Sequence, residues 1–317
     1  MGMPHITMIQ LEYVVALDKY RHFRLAAEAC HVTQPTLSMQ IQKLEEEFGV
    51  ILFDRRARPI SPTQVGSRLI SQARIVLSEA ERLTTIVEEL TGEMKGELRI
   101  GVISTLAPYL LPLVIEPFAR RYPQVSLIFE ELSSPRIVDH VKRDLLDAGL
   151  IAVDVSDRGI VEVPLFTEPL VAYISRKHRL YERDHVRIAD LHVDDVWLMR
   201  EGHSFRDQIV QLLRRNGAHA AGEKAVQFES DNLETLQRLV DRGYGMTLLP
   251  WLAVQGKGSA APDQVREFVG DVPNRTIRMV YAKVLVKRHT VEAFSSEVLK
   301  AVATVLPPNS LLREPSR

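Results

Sequence analysis

Between Leu69 and Leu90 the apolar positions Leu69, Ala73, Val76, Ala80, Leu83, Val87 and Leu90 follow one another at steps of four and three, with no proline among them. That spacing demands one long amphipathic helix, N-capped by Thr63 and running to about Glu93. A helix of this length cannot bury such a stripe on itself, and a second copy of the same helix is the economical partner. The 317 residues suit two or three domains. The helix separates a short segment, 1–63, from a long one, 96–317, with 64–95 as the linker between them.

The short segment reads as helices. Leu11, Val14, Val15 and Leu17 give helical spacing, and Phe23 with Leu25, Ala26, Ala27 and Ala29 a second short helix. A break at Cys30-His31-Val32 leads to the N-cap Thr33 with Pro35 in the first turn, then a helix to Phe48 closed by Gly49. Two short helices across a tight turn form a helix-turn-helix. Its outer face carries Gln34, Pro35, Thr36, Ser38, Gln40 and Lys43, and the following loop carries Arg55, Arg56 and Arg58. Net charge is −1, so this loop is a local basic patch in a nearly neutral chain. A polar face or a solvated charge cluster alone is ordinary surface; side by side they point to double-stranded DNA.

After Gly92 and Gly96 the pattern alternates between strands and helices. Strands are expected near 98–102, 125–131, 149–153, 196–199, 226–228, 246–249 and 275–284, and helices near 109–122, 136–147, 205–215, 233–242 and 291–305. This rhythm implies a parallel sheet with helices on its faces, in two α/β lobes flanking a cleft. Lobe I is expected over about 96–169 and 270–317, with the last helix folding back onto it, and lobe II over 170–269.

Composition narrows the function. Hydrophobic residues make up 45 % and charged residues 26 %, as in a globular protein with a full core. The single cysteine, Cys30, excludes an internal disulfide, a redox pair and a cysteine-based zinc site. In its turn it reads as a small buried hydrophobe. None of the ten histidines forms an HxH or HxxxH pair, so neither a metal site nor a cofactor is expected. The start lacks the layout of a signal peptide, and the most apolar stretch, 109–118, is broken by Pro112 and Pro117. The expectation is a soluble cytoplasmic protein with no membrane partner.

The run from Ala26 to Glu45, with Phe48-Gly49-Val50-Ile51-Leu52-Phe53-Asp54-Arg55, resembles the helix-turn-helix signature of LysR-type transcriptional regulators. The resemblance implies a winged helix-turn-helix, a linker helix and a periplasmic-binding-protein-like effector domain. It also implies a homodimer through the linker, assembled as a tetramer on promoter DNA. Stretches such as Glu162-Val163-Pro164-Leu165-Phe166, Gly202-His203-Ser204-Phe205-Arg206-Asp207-Gln208 and Gly245-Met246-Thr247-Leu248-Leu249-Pro250 are similar to the peroxide-sensing members of that family. In those members a reactive cysteine follows the Gly-His pair. Here that position is Ser204, and the resolving position matches Leu213. Sulfenic acid and disulfide chemistry needs sulfur at both places. Two origins fit Ser204, an engineered trap of the reduced form and a natural homologue without the switch, and Leu213 favours the second.

The resemblance places Thr105, Ser134, His203, Ser204, Asp207 and Arg275 around the sensor pocket, with Gln227 where some relatives carry histidine. From the residues alone, Ser104–Thr105, Ser133–Ser134, His203–Ser204 and Ser230 with Asn232 stand at strand-to-helix junctions. Each is an ordinary cap taken singly, and Ser204 with Asp207 reads as a capping box. Converging on one cleft, such helix starts favour a small carboxylate or oxyanion effector. No catalytic residue is assigned. Adjacent His203, Ser204 and Asp207 cannot take up triad geometry, and the chain has neither a G-x-S-x-G elbow nor a P-loop. A solute-binding protein shares the lobes but not the DNA-reading module, and an architectural DNA protein needs no cleft.

Overall fold

The computed structural model describes residues 5–91, 94–215, 230–255, 262–283 and 287–312. The chain forms two compact units, residues 1–94 making most of the first and residues 95–317 most of the second.

The first unit opens with α1 (Met8–Tyr20), held at its start by a capping box between Thr7 and Gln10. Then come α2 (Phe23–Ala29) and α3 (Gln34–Phe48). Thr33 Oγ1 accepts the Thr36 N–H, Pro35 sits in the first turn, and Gly49 ends α3 at φ 67°, a left-handed position that suits glycine. The antiparallel pair β1 (Phe53–Asp54) and β2 (Ser61–Pro62) makes a small wing before α4 (Gln64–Thr91). Thr63 ties wing to helix: its hydroxyl donates to the Ile51 carbonyl at 2.7 Å and accepts the Gly66 N–H at 2.9 Å.

The core of this unit joins Leu11, Val14 and Leu17 of α1, Leu37, Ile41 and Leu44 of α3, Phe53, and Ile70 and Ala73 of α4. This corrects the reading of one continuous seam waiting for a partner. Ala73 is buried, and Leu69 and Val76 pack against the core of their own unit, whereas Leu83 is 68 % exposed. The stripe is therefore packed into the unit's own core at its start and exposed at Leu83. Val87, Leu90, Gly92 and Glu93 lie outside the described side chains or residues.

In the second unit β3 (Gly96–Val102), α5 (Ala107–Arg121), β4 (Val125–Glu131), α6 (Ser134–Lys142) and β5 (Ala148–Ile151) alternate as expected. β3 runs parallel to both β4 and β5. After them come β6 (Ile160–Ile174) and β7 (His185–Val186), then α7 (Ser204–Arg215), α8 (Leu233–Asp241), β8 (Met246–Pro250) and α9 (Leu252–Gln255). β9 (Val265–Phe268), β10 (Asn274–Ala282) and α10 (Arg288–Ala303) complete the unit.

The sheet order is β4-β3-β5-β10-β6-β9-β7, with β8 on β6. It is mixed rather than parallel: β10 is antiparallel to β5, and β6 is antiparallel to β8 and β9. β6 is a fifteen-residue strand that sequence reading missed because Pro164 and Pro169 interrupt its pattern. Together with β10, its neighbour in the sheet, it links the two lobes. Val196 to Met199 forms only an isolated bridge from Val196 to Met246 rather than a strand. α6 stops at Lys142, short of the expected Asp147. The strand expected at 226–228 lies outside the described residues. α10 does fold back onto lobe I, placing the Phe294 ring 5.6 Å from Phe118 and 5.8 Å from Phe129. No described helix is long and apolar enough to cross a membrane.

Candidate functional site

On the first unit, Gln34, Pro35 and Lys43 are exposed along α3, with Thr36 and Ser38 half-buried beside them. Two of the residues singled out from sequence are already engaged. Gln40 accepts a hydrogen bond from Gln10 Nε2 at 3.3 Å, which draws its amide back onto α1. Arg55 pairs with Glu45 at 2.8 Å and lies 5.7 Å over the Phe23 ring. Glu45 also accepts the Leu52 N–H at 2.8 Å, so this carboxylate fixes the entry to the wing. Arg56 and Arg58, at the wing tip, are exposed and carry no ion pair among the described residues. Cys30 is half-buried against the core, and burial, reinforced by Glu12, raises its thiol pKa, which keeps it protonated and unreactive.

The second unit contains an open cleft of about 970 Å³. One wall brings Ser104, Ser133 and Ser134 from the ends of β3 and β4, and the other brings His203, Ser204 and Asp207 from the start of α7. His203, not Ser204, caps α7: its Nδ1 accepts the Phe205 N–H at 3.2 Å. With Nδ1 accepting, Nε2 carries the proton and donates to Ser104 Oγ at 3.3 Å, a link from one lobe to the other. Burial lowers the His203 pKa, against the opposing pull of Asp231, so the ring is neutral near pH 7. A second tie runs from Gln208 Nε2 to the Ala152 carbonyl at 2.6 Å.

Thr105 and Arg275 do not line the cleft. They lie behind it in a buried cluster, Thr105 at 1 % and Arg275 at 3 % exposure. Arg275 donates to Glu168 from Nε at 2.7 Å and to Thr105 Oγ1 at 2.8 Å, and stacks 5.4 Å from the Phe205 ring. Glu168 also accepts the Leu252 N–H at 3.1 Å. The ion pair thus bridges β6 and β10, the two strands that join the lobes. Sequence reading missed Glu168, although a carboxylate alone in the apolar run from Val163 to Ile174 is a usable signal for a buried partner. It also missed Asp154, Arg200 and Asp231, exposed loop residues with no distinguishing pattern. Gln227 lies outside the described residues.

Ser204 and Leu213 occupy one unbroken helix, nine residues apart. At 1.5 Å per residue they stand about 13 Å apart along the axis, well beyond the separation a disulfide spans. Leu213 is fully buried in the lobe II core with Phe205, Ile209 and Leu236. An apolar side chain there strengthens the packing of α7, where a thiol switch would need to release it.

Comparison with known proteins agrees with this architecture. Residues 8–67 match the bacterial regulatory helix-turn-helix model of the lysR family, and residues 91–303 match the LysR substrate binding domain. The chain is 38 % identical over 277 residues to the hydrogen peroxide-inducible genes activator of Dickeya chrysanthemi, covering 86 % of this chain and 88 % of that one. It is also 38 % identical over 271 residues, with the same coverage, to the DNA-binding transcriptional dual regulator OxyR of Escherichia coli K12. Among solved structures, a full-length cysteine variant of Pseudomonas aeruginosa OxyR superposes with a TM-score of 0.75 at 31 % identity, covering 93 % of this chain and 98 % of that one. The chain, with its wing, its linker helix and its two-lobed cleft, belongs to the LysR family of transcriptional regulators, in an OxyR-like form that lacks both redox cysteines.

Proposed function

We propose that this regulator reports occupancy of its effector cleft instead of oxidation of a thiol. The observation that carries the reading is Ser204, a hydroxyl where the reactive sulfur would stand, on a helix that runs unbroken to Leu213. A serine hydroxyl does not ionise near neutral pH and cannot be oxidised to a sulfenic acid. The only thiol, Cys30, is held protonated in the helix-turn-helix. What remains is a polar cleft whose walls are tied by Ser104–His203 and Gln208–Ala152, bonds that a ligand can replace or reinforce.

In this reading α3 enters the major groove, with Gln34, Pro35, Thr36 and Ser38 at base edges and Lys43, Arg56 and Arg58 on phosphates. α4, on which Leu83 is exposed, joins two copies, and two such dimers form a tetramer on promoter DNA. Gel shifts with the promoter region beside its own gene test the first statement, and absence of specific binding contradicts it. Sedimentation of Leu83→Lys tests the second. Dissociation is expected, and an unchanged assembly places the interface elsewhere.

A further inference from the structure

The charge of the cleft is the opposite of what a free anion needs. Its lining carries the carboxylates of Glu131, Asp154, Asp157, Glu201, Asp207 and Asp231 against the guanidinium groups of Arg136 and Arg200. Arg200 is paired with Asp231 at 2.7 Å, and Asp154 is met by Arg278 at 2.5 Å from outside the lining. Arg275, the cation that the resemblance assigns to the pocket, is spent on Glu168 and Thr105 behind it.

The two helix starts facing the cleft also differ. α7 has Asp207 in its first turn and a His203 cap, so its positive end is already served. α6, nine residues long, has no acidic residue in its first turn, and Arg136 adds positive charge there. Its first residue, Ser134, lines the cleft, is 3 % exposed, and its Oγ has no hydrogen-bond partner. A buried hydroxyl left unpaired in an otherwise satisfied site calls for a polar group on the ligand.

We infer that the cleft takes a small zwitterion of the α-amino-acid type, its carboxylate at Ser134 and the α6 N-terminus and its ammonium facing Asp207 and the neighbouring carboxylates. The inference rests on the reading of this cleft as the effector site. It replaces the simple anion expected from sequence, because only the α6 end of the cleft favours negative charge. The cleft, at about 970 Å³, has ample room for a ligand of that size.

Thermal shift followed by calorimetry on the full-length protein tests this with three probe sets: the common amino acids with ornithine, the diamines putrescine and cadaverine, and the dicarboxylates succinate and glutarate. At least one amino acid is expected to raise Tm and bind saturably. Its affinity should fall roughly tenfold in Asp207→Asn and in Ser134→Ala as a charge-assisted contact is lost. A dicarboxylate that binds as tightly as the best amino acid overturns the inference. So does a panel in which no amino acid shifts Tm, whether or not a diamine does. Either failure leaves thiol-independent regulation standing, because that is read separately from promoter binding with and without peroxide.

Discussion

Arg275 and Glu168 form an ion pair almost wholly removed from water, at 1 % and 0 % side-chain exposure. Such pairs contribute little net stability when intact, but losing one partner strands the other charge. Arg275→Ala is therefore expected to destabilise the second unit by about 3–5 kcal/mol, seen as a lower urea midpoint, and Arg275→Met combined with Glu168→Gln should recover most of the loss. On the first unit the arginines divide by role. Arg56→Ala should weaken binding to all DNA sequences and reduce the salt slope by about one with Tm unchanged. Arg55→Ala should also lower Tm, because it frees Glu45 from its place under the wing. Equal effects of both substitutions on Tm would refute that division. Sequence showed three arginines in one loop; only the fold reveals that one of them is paired with Glu45.

Elements were legible where one period governed them. α3 was readable to the residue because Thr33, Pro35 and Gly49 mark its ends by local stereochemistry. β6 was not, because its prolines hide a strand that long-range pairing supplies. The α4 stripe is legible as a helix, but which of its positions enter the unit's own core depends on where α1 packs, and no spacing encodes that. Gly66 marks a close approach of α4 to the wing entry: a Cβ there would lie 1.9 Å from the Leu52 carbonyl oxygen. Gly66→Ala should cost about 1–3 kcal/mol as the wing entry shifts, with a matching loss of DNA affinity. A variant with unaltered melting would show that the wing yields freely.

At the scale of the molecule, the candidate site was half legible. Ser134, His203, Ser204 and Asp207 do share one cleft, whereas Thr105 and Arg275 stand behind it, because a buried arginine takes the nearest carboxylate and Glu168 is supplied by a strand no local pattern announced. The second unit should also be sensitive to mild acid. Burial holds His203 and His178 below the ordinary histidine value. The unfolded chain therefore binds protons that the folded one refuses, and the stabilisation is complete above about pH 6.5 and falls as pH drops. Tm should decline from about pH 7 to about pH 5, and His203→Gln with His178→Gln should flatten the decline; an unchanged slope would place the titration elsewhere.

The central claim, regulation without a thiol switch, is tested most directly by measuring affinity for the promoter fragment with and without hydrogen peroxide, in the native chain and in Cys30→Ser. The account predicts one affinity in all four conditions. A peroxide-dependent change in either protein would contradict it.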